Sequence, residues 1–512
     1  MAALVLAMAG CQKEPQASNQ QQNGIDSESV YVSFTIQALT TKSGTATEDN
    51  DKYASSDANP NYEIGKDFEN TISTVDIVLK NGPTYISATA TIDGGTTNEG
   101  ADKETYPLKW VAKFNSSQLK TDTDYEIYVY ANCSAKQDPD AISEEEIDAM
   151  TTANKFWMTN AYAQTVNFAE FSTNEADPTD LGDVFVERAM ARFDYLDNGD
   201  YTIVEDNTET TDFDETVTIT MTKAALINQS KKFYYLRRVS TDGTNTNWSV
   251  GGVETKLNYV VDTDWQAKSD GYNDTDAENF TYPLNNPSGW DWKSLPEKTT
   301  GNKENWTGST HADKNYYFWQ YAKENTIPGV ENQVNGLSTG VVFKGEIKGD
   351  IVTAAAGDPI YVHNNILYGT WAQVKSAADK ADAPEALKYA VSKCIDAEGN
   401  LITNNLAAAG FTQYTSEKDQ EENNHYYTYY YYWNRHNDNN QNTTMGKMEF
   451  AVVRNNVYKL CIDNITKFGH PTPGGIDPDP IDPDDPDESG EYYFKVSVKV
   501  LPWVVRVNHI GF

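Results

Sequence analysis

Between Val30 and Ala38 every second residue is apolar: Val30, Val32, Phe34, Ile36 and Ala38 alternate with Tyr31, Ser33, Thr35 and Gln37. Successive side chains of a strand point to opposite faces, so this pattern reads as a strand with one buried face. The same signature recurs. Val75, Ile77 and Leu79 share a face, as do Tyr125, Ile127, Val129 and Ala131, then Val217, Ile219 and Met221, and Val341 with Phe343. The run HYYTYYYYW, from His425 to Trp433, reads as a strand with aromatics on both sides, and Val452–Ile462 as a bent strand or a strand pair. The 32 Tyr residues of the chain suit pleated, half-buried surfaces. Helical signals are few. Ser143 with Glu146 three residues on forms a capping-box pattern, and Pro384 suits the first turn of a helix reaching about Cys394. Strands separated by polar turn clusters, with helices in the loops, predict a mainly β protein built of two β-sandwich domains.

The chain is 512 residues long and 38% hydrophobic, enough for sizeable cores. Its formal net charge of −36 repels phosphate backbones and argues against nucleic-acid binding. The cysteines Cys11, Cys133, Cys394 and Cys461 form no CxxC pair, so zinc and thioredoxin-like chemistry are not expected. Cys133, Cys394 and Cys461 fall in strand-like or helical apolar patterns and read as buried thiols, with a disulfide between two of them left open. No GxSxG, HExxH, Walker A or strand-linked GxGxxG occurs. The six His residues are scattered and read as surface or turn groups. No catalytic, cofactor-binding or metal-binding residue is proposed, and no enzymatic activity is expected.

Two ends of the chain stand out. Residues 2–10, AALVLAMAG, are too short to span a bilayer and resemble a signal-peptide core, and Met8-Ala9-Gly10-Cys11 resembles a bacterial lipobox. Cys11 is then the lipid-bearing residue, followed by a polar tether, which predicts an outer-membrane lipoprotein precursor. After the strand of Val30, Val32, Phe34 and Ile36 comes a Ser/Thr/Asp-rich loop, Thr40–Asn61, of the kind that proteases nick. At the other end, PTPGGIDPDPIDPDDPDESG at 471–490 reads as an extended, semi-rigid linker. It leads to a terminal strand in which Phe494, Val496, Val498 and Val500, then Trp503, Val505 and Val507, keep the period-two pattern. Its apolar face must be buried on its own sheet or on a neighbour's. If the first strand leaves, the terminal strand of another copy can fill the vacated groove, and such head-to-tail contacts generate filaments.

Several blocks in order carry a family resemblance: the lipobox at Cys11, YVYANC at 128–133, VERAMARFDY at 186–195, the aromatic run ending at 431–433, VVRNNVYKLCIDNITKFG at 452–469, the DPDP linker, and VSVKVLPW at 496–503. The chain resembles the fimbrillin family of Bacteroidia, the type V pilins, and within it the shaft subunits of short fimbriae of Porphyromonas. The resemblance implies export as a lipoprotein, removal of the N-terminal segment by a surface protease, and polymerisation by donor-strand exchange into an extracellular fimbria serving adhesion and biofilm formation. The implied partners are other copies of the chain, fimbrial accessory and anchor proteins, a host or bacterial surface receptor, and the processing protease. The family's Arg-directed cut has no counterpart, since no Arg precedes Arg188. Cleavage is therefore expected between Lys42 and Ser43.

The expected organisation is a signal peptide at 1–11, tether and removable strand at 12–42, sandwich domains at 43–185 and 186–470, linker at 471–490 and donor strand at 491–512. Two other readings stay open. One is an accessory, tip or anchor subunit of a fimbria. The other is a glycan-binding surface lipoprotein using Trp157, Trp248, Trp290, Trp292, Trp306 and Trp319 as a stacking platform.

Overall fold

The computed structural model describes residues 29–38, 63–93, 109–203, 217–296, 310–488 and 494–504, with short breaks at 162, 198, 242–244, 251–258, 312–313, 437–438, 440, 442 and 476–479. The alternating segments become strands. The first part of the chain supplies β1 (Ser29–Ala38), β2 (Glu63–Ile64), β3 (Val75–Asn81), β4 (Thr84–Ile92), β5 (Lys109–Asn115), β6 (Asp124–Ala131), β7 (Met158–Asn160), β8 (Gln164–Asn167) and β9 (Thr179–Arg188). All but β2 form one sheet in the order β3-β4-β5-β1-β9-β7-β6-β8, and β3 also pairs with β6, so this sheet closes on itself. Its interior is filled from every side by the apolar positions of the alternating runs, among them Phe34, Leu79, Trp110, Val129 and Val186.

After Ala189 and Met190 the chain enters a second unit. Here lie β10 (Ala191–Leu196), β11 (Asp200–Ile203), β12 (Val217–Ile227), β13 (Tyr317–Ala322), β14 (Gly340–Lys348), β15 (Ser416–Lys418), β16 (Asn424–Trp433), β17 (Asn456–Ile465) and β18 (Phe494–Val504). They make two sheets, β2-β18-β17-β10-β13 and β11-β12-β14-β16-β15. Phe193, Tyr195 and Leu460 from the first sheet meet Ile219, Phe343 and Tyr430 from the second in one buried core. The fold is thus mainly β, with sandwich-like units and few short helices.

The run HYYTYYYYW shows how period two works when both faces are covered. Tyr426 and Tyr430 enter the core between the sheets. Tyr429 packs on the opposite face against Trp290, with Tyr427, Tyr431 and Trp433 beside it. Between β14 and β16 two longer helices, α1 (Trp371–Ala378) and α2 (Glu385–Lys393), bury Val374, Leu387, Ala390 and Val391 with Cys394 in a cluster of their own. Pro384 is the N-cap residue of α2, and its fixed φ ends the preceding loop.

Four local expectations are corrected. Ser143 does not cap a helix. Its backbone is committed to a short strand beside Phe233, its Oγ accepts from the Glu145 N–H at 3.1 Å, and the helix begins only at Ile147. Val452–Ile462 is a turn followed by one strand, because Asn455 takes a left-handed backbone (φ 57°) immediately before β17. Cys133 lies just beyond β6 rather than in a strand; it, Cys394 and Cys461 are buried, and none of the three is in a disulfide. Among the histidines, His363, His436 and His470 are buried, and His436 Nδ1 lies 2.9 Å from the Tyr458 hydroxyl. An imidazole sits inside a β core when a phenol or backbone group satisfies its nitrogen. His311 is in a short strand, and His509 lies outside the described residues.

Candidate functional site

The two stretches singled out in the sequence supply β1 and β18, which sit in different sheets. β1 lies between β5, to which it is antiparallel, and β9, to which it is parallel. Val30 stands opposite Phe114, Val32 opposite Ala112 and Phe34 opposite Trp110 across one ladder, and Ile36 opposite Val184 across the other. Val30, Val32, Phe34 and Ile36 are all buried, with Val32 and Phe34 at 0% exposure. Burial of four such side chains is worth roughly 6–12 kcal/mol gross, at about 1.5–3 kcal/mol each. No hairpin turn joins β1 to either neighbour, since β5 follows some seventy positions later and β9 later still. For β9 parallel pairing makes this necessary, because parallel strands cannot be linked by a tight turn; for β5 it is the intervening strands that rule out a hairpin. The strand is therefore held by side-chain burial and two ladders, not by local connection.

The chain reappears at β2, whose two residues pair in parallel with Trp503 and Val504 of β18. Six positions on, Glu69 ties this segment to the junction of the two units. Its Oε2 lies 3.2 Å from Arg192 Nη1, the Tyr321 hydroxyl donates to its Oε1 at 2.9 Å, and the Lys66 N–H donates to its Oε2 at 2.6 Å. Arg192 completes its fork on Asp194 at 2.8 and 2.9 Å. Arg188, at the end of β9, donates from Nε to the Glu69 carbonyl at 3.3 Å and from Nη2 to Asn70 Oδ1. Burial pulls the Arg188 guanidinium down to about 9. The block VERAMARFDY is this junction: its two arginines face the segment just downstream of the loop containing Lys42.

β18 folds back on its own subunit. Its antiparallel ladder with β17 sets Phe494 opposite Ile465, Val496 opposite Ile462, Val498 opposite Leu460 and Val500 opposite Tyr458. Ile462, Leu460 and Tyr458 belong to the buried core between the two sheets. Among the described residues, the other edge of β18 pairs with β2.

The Pro/Asp stretch differs from the free spacer that its composition suggests. Its second half lies against the loop 333–338. The Gly336 N–H donates to the Pro483 carbonyl at 2.9 Å, Asn335 N–H to the Asp485 carbonyl at 3.0 Å, and Asp487 N–H to the Gln333 carbonyl at 3.1 Å. The Ser338 hydroxyl donates to Asp487 Oδ2 at 2.5 Å, and Arg435 Nη1 pairs with Glu488 at 2.7 Å. Burial pushes the Asp487 carboxyl up to about 8. Prolines supply no N–H, so the segment docks through its carbonyls and the few amides left.

Among the residues proposed from sequence, Cys11, Lys42, Ser43, Val505 and Val507 lie outside the described residues. The tryptophans do not converge. Trp319 is in the core between the sheets, Trp290 and Trp292 flank β16, and Trp157 and Trp248 border a separate cluster with Tyr235; Trp306 is not described. No group of His, Cys, Asp and Glu that could hold a metal occurs among the described residues. Sequence reading missed β2, the Glu69 anchor and the docked half of the linker. A two-residue strand has no periodicity to detect, and Glu69 is one acidic residue among 76 acidic residues.

Residues 424–509 match the family model described as major fimbrial subunit protein type IV, fimbrillin, C-terminal. The match opens on the first residue of β16 and runs through β17, the Pro/Asp stretch and β18. No curated protein matches the chain. From its aromatic strand to its terminal strand, this chain is thus similar to the C-terminal region of fimbrillins.

Proposed function

We propose that the chain is a structural subunit, a pilin, of a cell-surface fimbria, and that its copies join by exchanging terminal strands. The observation that carries this reading is β1: an apolar strand buried between two ladders, with no hairpin to hold it once the chain is cut downstream. In this reading Cys11 carries the lipid of an outer-membrane precursor, and a protease cuts between Lys42 and Ser43. β1 then departs with the lipidated segment. The groove between β5 and β9 is left with two unpaired edges and an apolar floor, which a strand from a second copy fills. Phe494, Val496, Val498, Val500 and Trp503, followed by Val505 and Val507, are that donor strand.

The direction of exchange follows from hydrogen-bond arithmetic. At home β18 has one full ladder, with β17, and two residues paired with β2. In the vacated groove it gains two full ladders. Each added backbone bond contributes about 0.5–1.5 kcal/mol net, and ordering of the arm offsets part of it. The docked state serves as storage, and the groove is the stronger seat. The shaft so formed serves adhesion and biofilm formation with accessory and anchor proteins and a surface receptor. No enzymatic step belongs to this role.

The test is mass spectrometry and cross-linking of fimbriae sheared from cells. The expected result is a mature N-terminus at Ser43 and cross-links from 494–504 to positions 109–115 and 179–186 of a different copy. A mature N-terminus at Cys11, or a tail cross-linked only to β17 of its own copy within fibres, overturns the proposal.

A further inference from the structure

Away from both termini, one buried cluster brings a nucleophile and an electrophile together. Lys268, at the end of a short helical turn after Asp264, is fully buried. Its Nζ lies 2.5 Å from Asn325 Oδ1, 2.5 Å from Asp262 Oδ2 and 3.0 Å from Asp264 Oδ1. It also donates to the Thr326 carbonyl at 3.1 Å, and the Phe280 ring stands 5.5 Å away. The Asn325 amide is locked in orientation. Its Nδ2 donates to the carbonyls of Asn228 and Leu337, each at 3.0 Å, and to Thr339 Oγ1 at 2.8 Å, so its carbonyl must face the lysine. A carbonyl bond is about 1.2 Å long, which places Nζ within roughly 3.7 Å of Asn325 Cγ, close to a near-attack separation.

We propose that Lys268 and Asn325 form an intramolecular isopeptide bond, with Asp262 relaying the proton. Neutral Nζ attacks Cγ of Asn325 and a new C–N bond forms. Asp262, holding the proton taken from the lysine ammonium, delivers it to Nδ2 and then, as a carboxylate again, takes one from the attacking nitrogen. The Cγ–Nδ2 bond breaks, one ammonia leaves, and nothing is oxidised or reduced. Asp262 is suited to this. One carboxylate oxygen accepts from Lys268 and from the Thr326 N–H at 2.8 Å, while Oδ1 is buried with no hydrogen-bond partner. Burial, reinforced by Asp264, pushes the Asp262 carboxyl well above its ordinary range. Burial opposes the Lys268 charge, but Asp262 and Asp264 hold its proton affinity up. The two groups thus compete for one proton, and the attack requires its transfer from amine to carboxylate. The product covalently ties the turn after residue 261 to the strand exit at 325, across the region that carries β13.

Tryptic mapping of the purified full chain decides it. The expected result is no cleavage after Lys268 and a branched peptide joining the Lys268 and Asn325 regions, lighter by one ammonia than its two parts. Separate peptides of unmodified mass overturn the proposal, as does a branched peptide lighter by one water, which would place the bond on an aspartate. An Asp262→Ala variant with the circular dichroism of the parent should give the unlinked peptides; persistence of the ammonia loss would remove Asp262 from the mechanism. If that variant does not fold, the map of the parent chain alone settles the bond.

Discussion

The Glu69 carboxylate meets the Arg192 guanidinium at 3.2 Å, with both side chains out of water. Because Glu69 follows β2 and Arg192 is the second residue of β10, this pair fastens the segment downstream of the expected cut to the second unit. Breaking a buried pair by removing one partner costs about 3–5 kcal/mol. Glu69→Ala should lose stability in that range by urea denaturation, and Glu69→Gln less, since an amide oxygen still accepts from Tyr321. A Glu69→Ala variant within about 1 kcal/mol of the parent would show that Asp194 alone satisfies Arg192.

On the proposed strand exchange, Phe34 distinguishes the precursor from the polymer. It is fully buried in β1, and Phe→Ala in a core costs about 3–5 kcal/mol. Phe34→Ala should lower the melting temperature of the unprocessed chain. Fibres formed after cleavage should dissociate at the same temperature as those of the parent, because the altered residue has left. A matching drop in fibre stability would mean that β1 stays in place.

Position 498 tests the opposite end. Val498 stands opposite Leu460 in the ladder between β17 and β18. Val498→Lys puts a charge at a register position meant for an apolar face, at a cost of several kcal/mol. Assembly followed by electron microscopy should slow sharply. Deleting 494–512 should leave folded monomers that form no fibres by size-exclusion chromatography. Filaments from the truncated chain would locate the donor elsewhere.

Asp487 should make the docked linker sensitive to pH. Its carboxyl is pushed up to about 8 in the folded chain by burial, against about 3.9 when unfolded. The folded form therefore holds the proton more tightly, so docking is firmest below about pH 4 and weakens as pH rises through about 8. Hydrogen-exchange protection of the Asp487 amide, corrected for intrinsic rate, should fall across that window, and Asp487→Asn should flatten the dependence. Protection that increases with pH in the parent chain would contradict a buried neutral acid.

The period-two runs made the β class and most strand positions legible. Val75 to Leu79, Tyr125 to Ala131 and the HYYTYYYYW run carry their own geometry, because a strand displays its burial in the order of its residues. The Pro/Asp stretch was legible as non-regular structure, but its docking onto 333–338 was not. That contact depends on carbonyls and on Ser338, some 150 positions away.

The sequence by itself determined that both ends of the chain are apolar-faced strands and that the chain is rich in sheet. Only the tertiary structure decided where those strands sit: β1 between β5 and β9 without a hairpin, β18 on β17 with β2 at its edge. It alone brought Lys268 to Asn325. Alternation is local and survives in the order of residues. Partner choice is a matter of ladders and buried contacts between positions far apart, which no window of sequence contains.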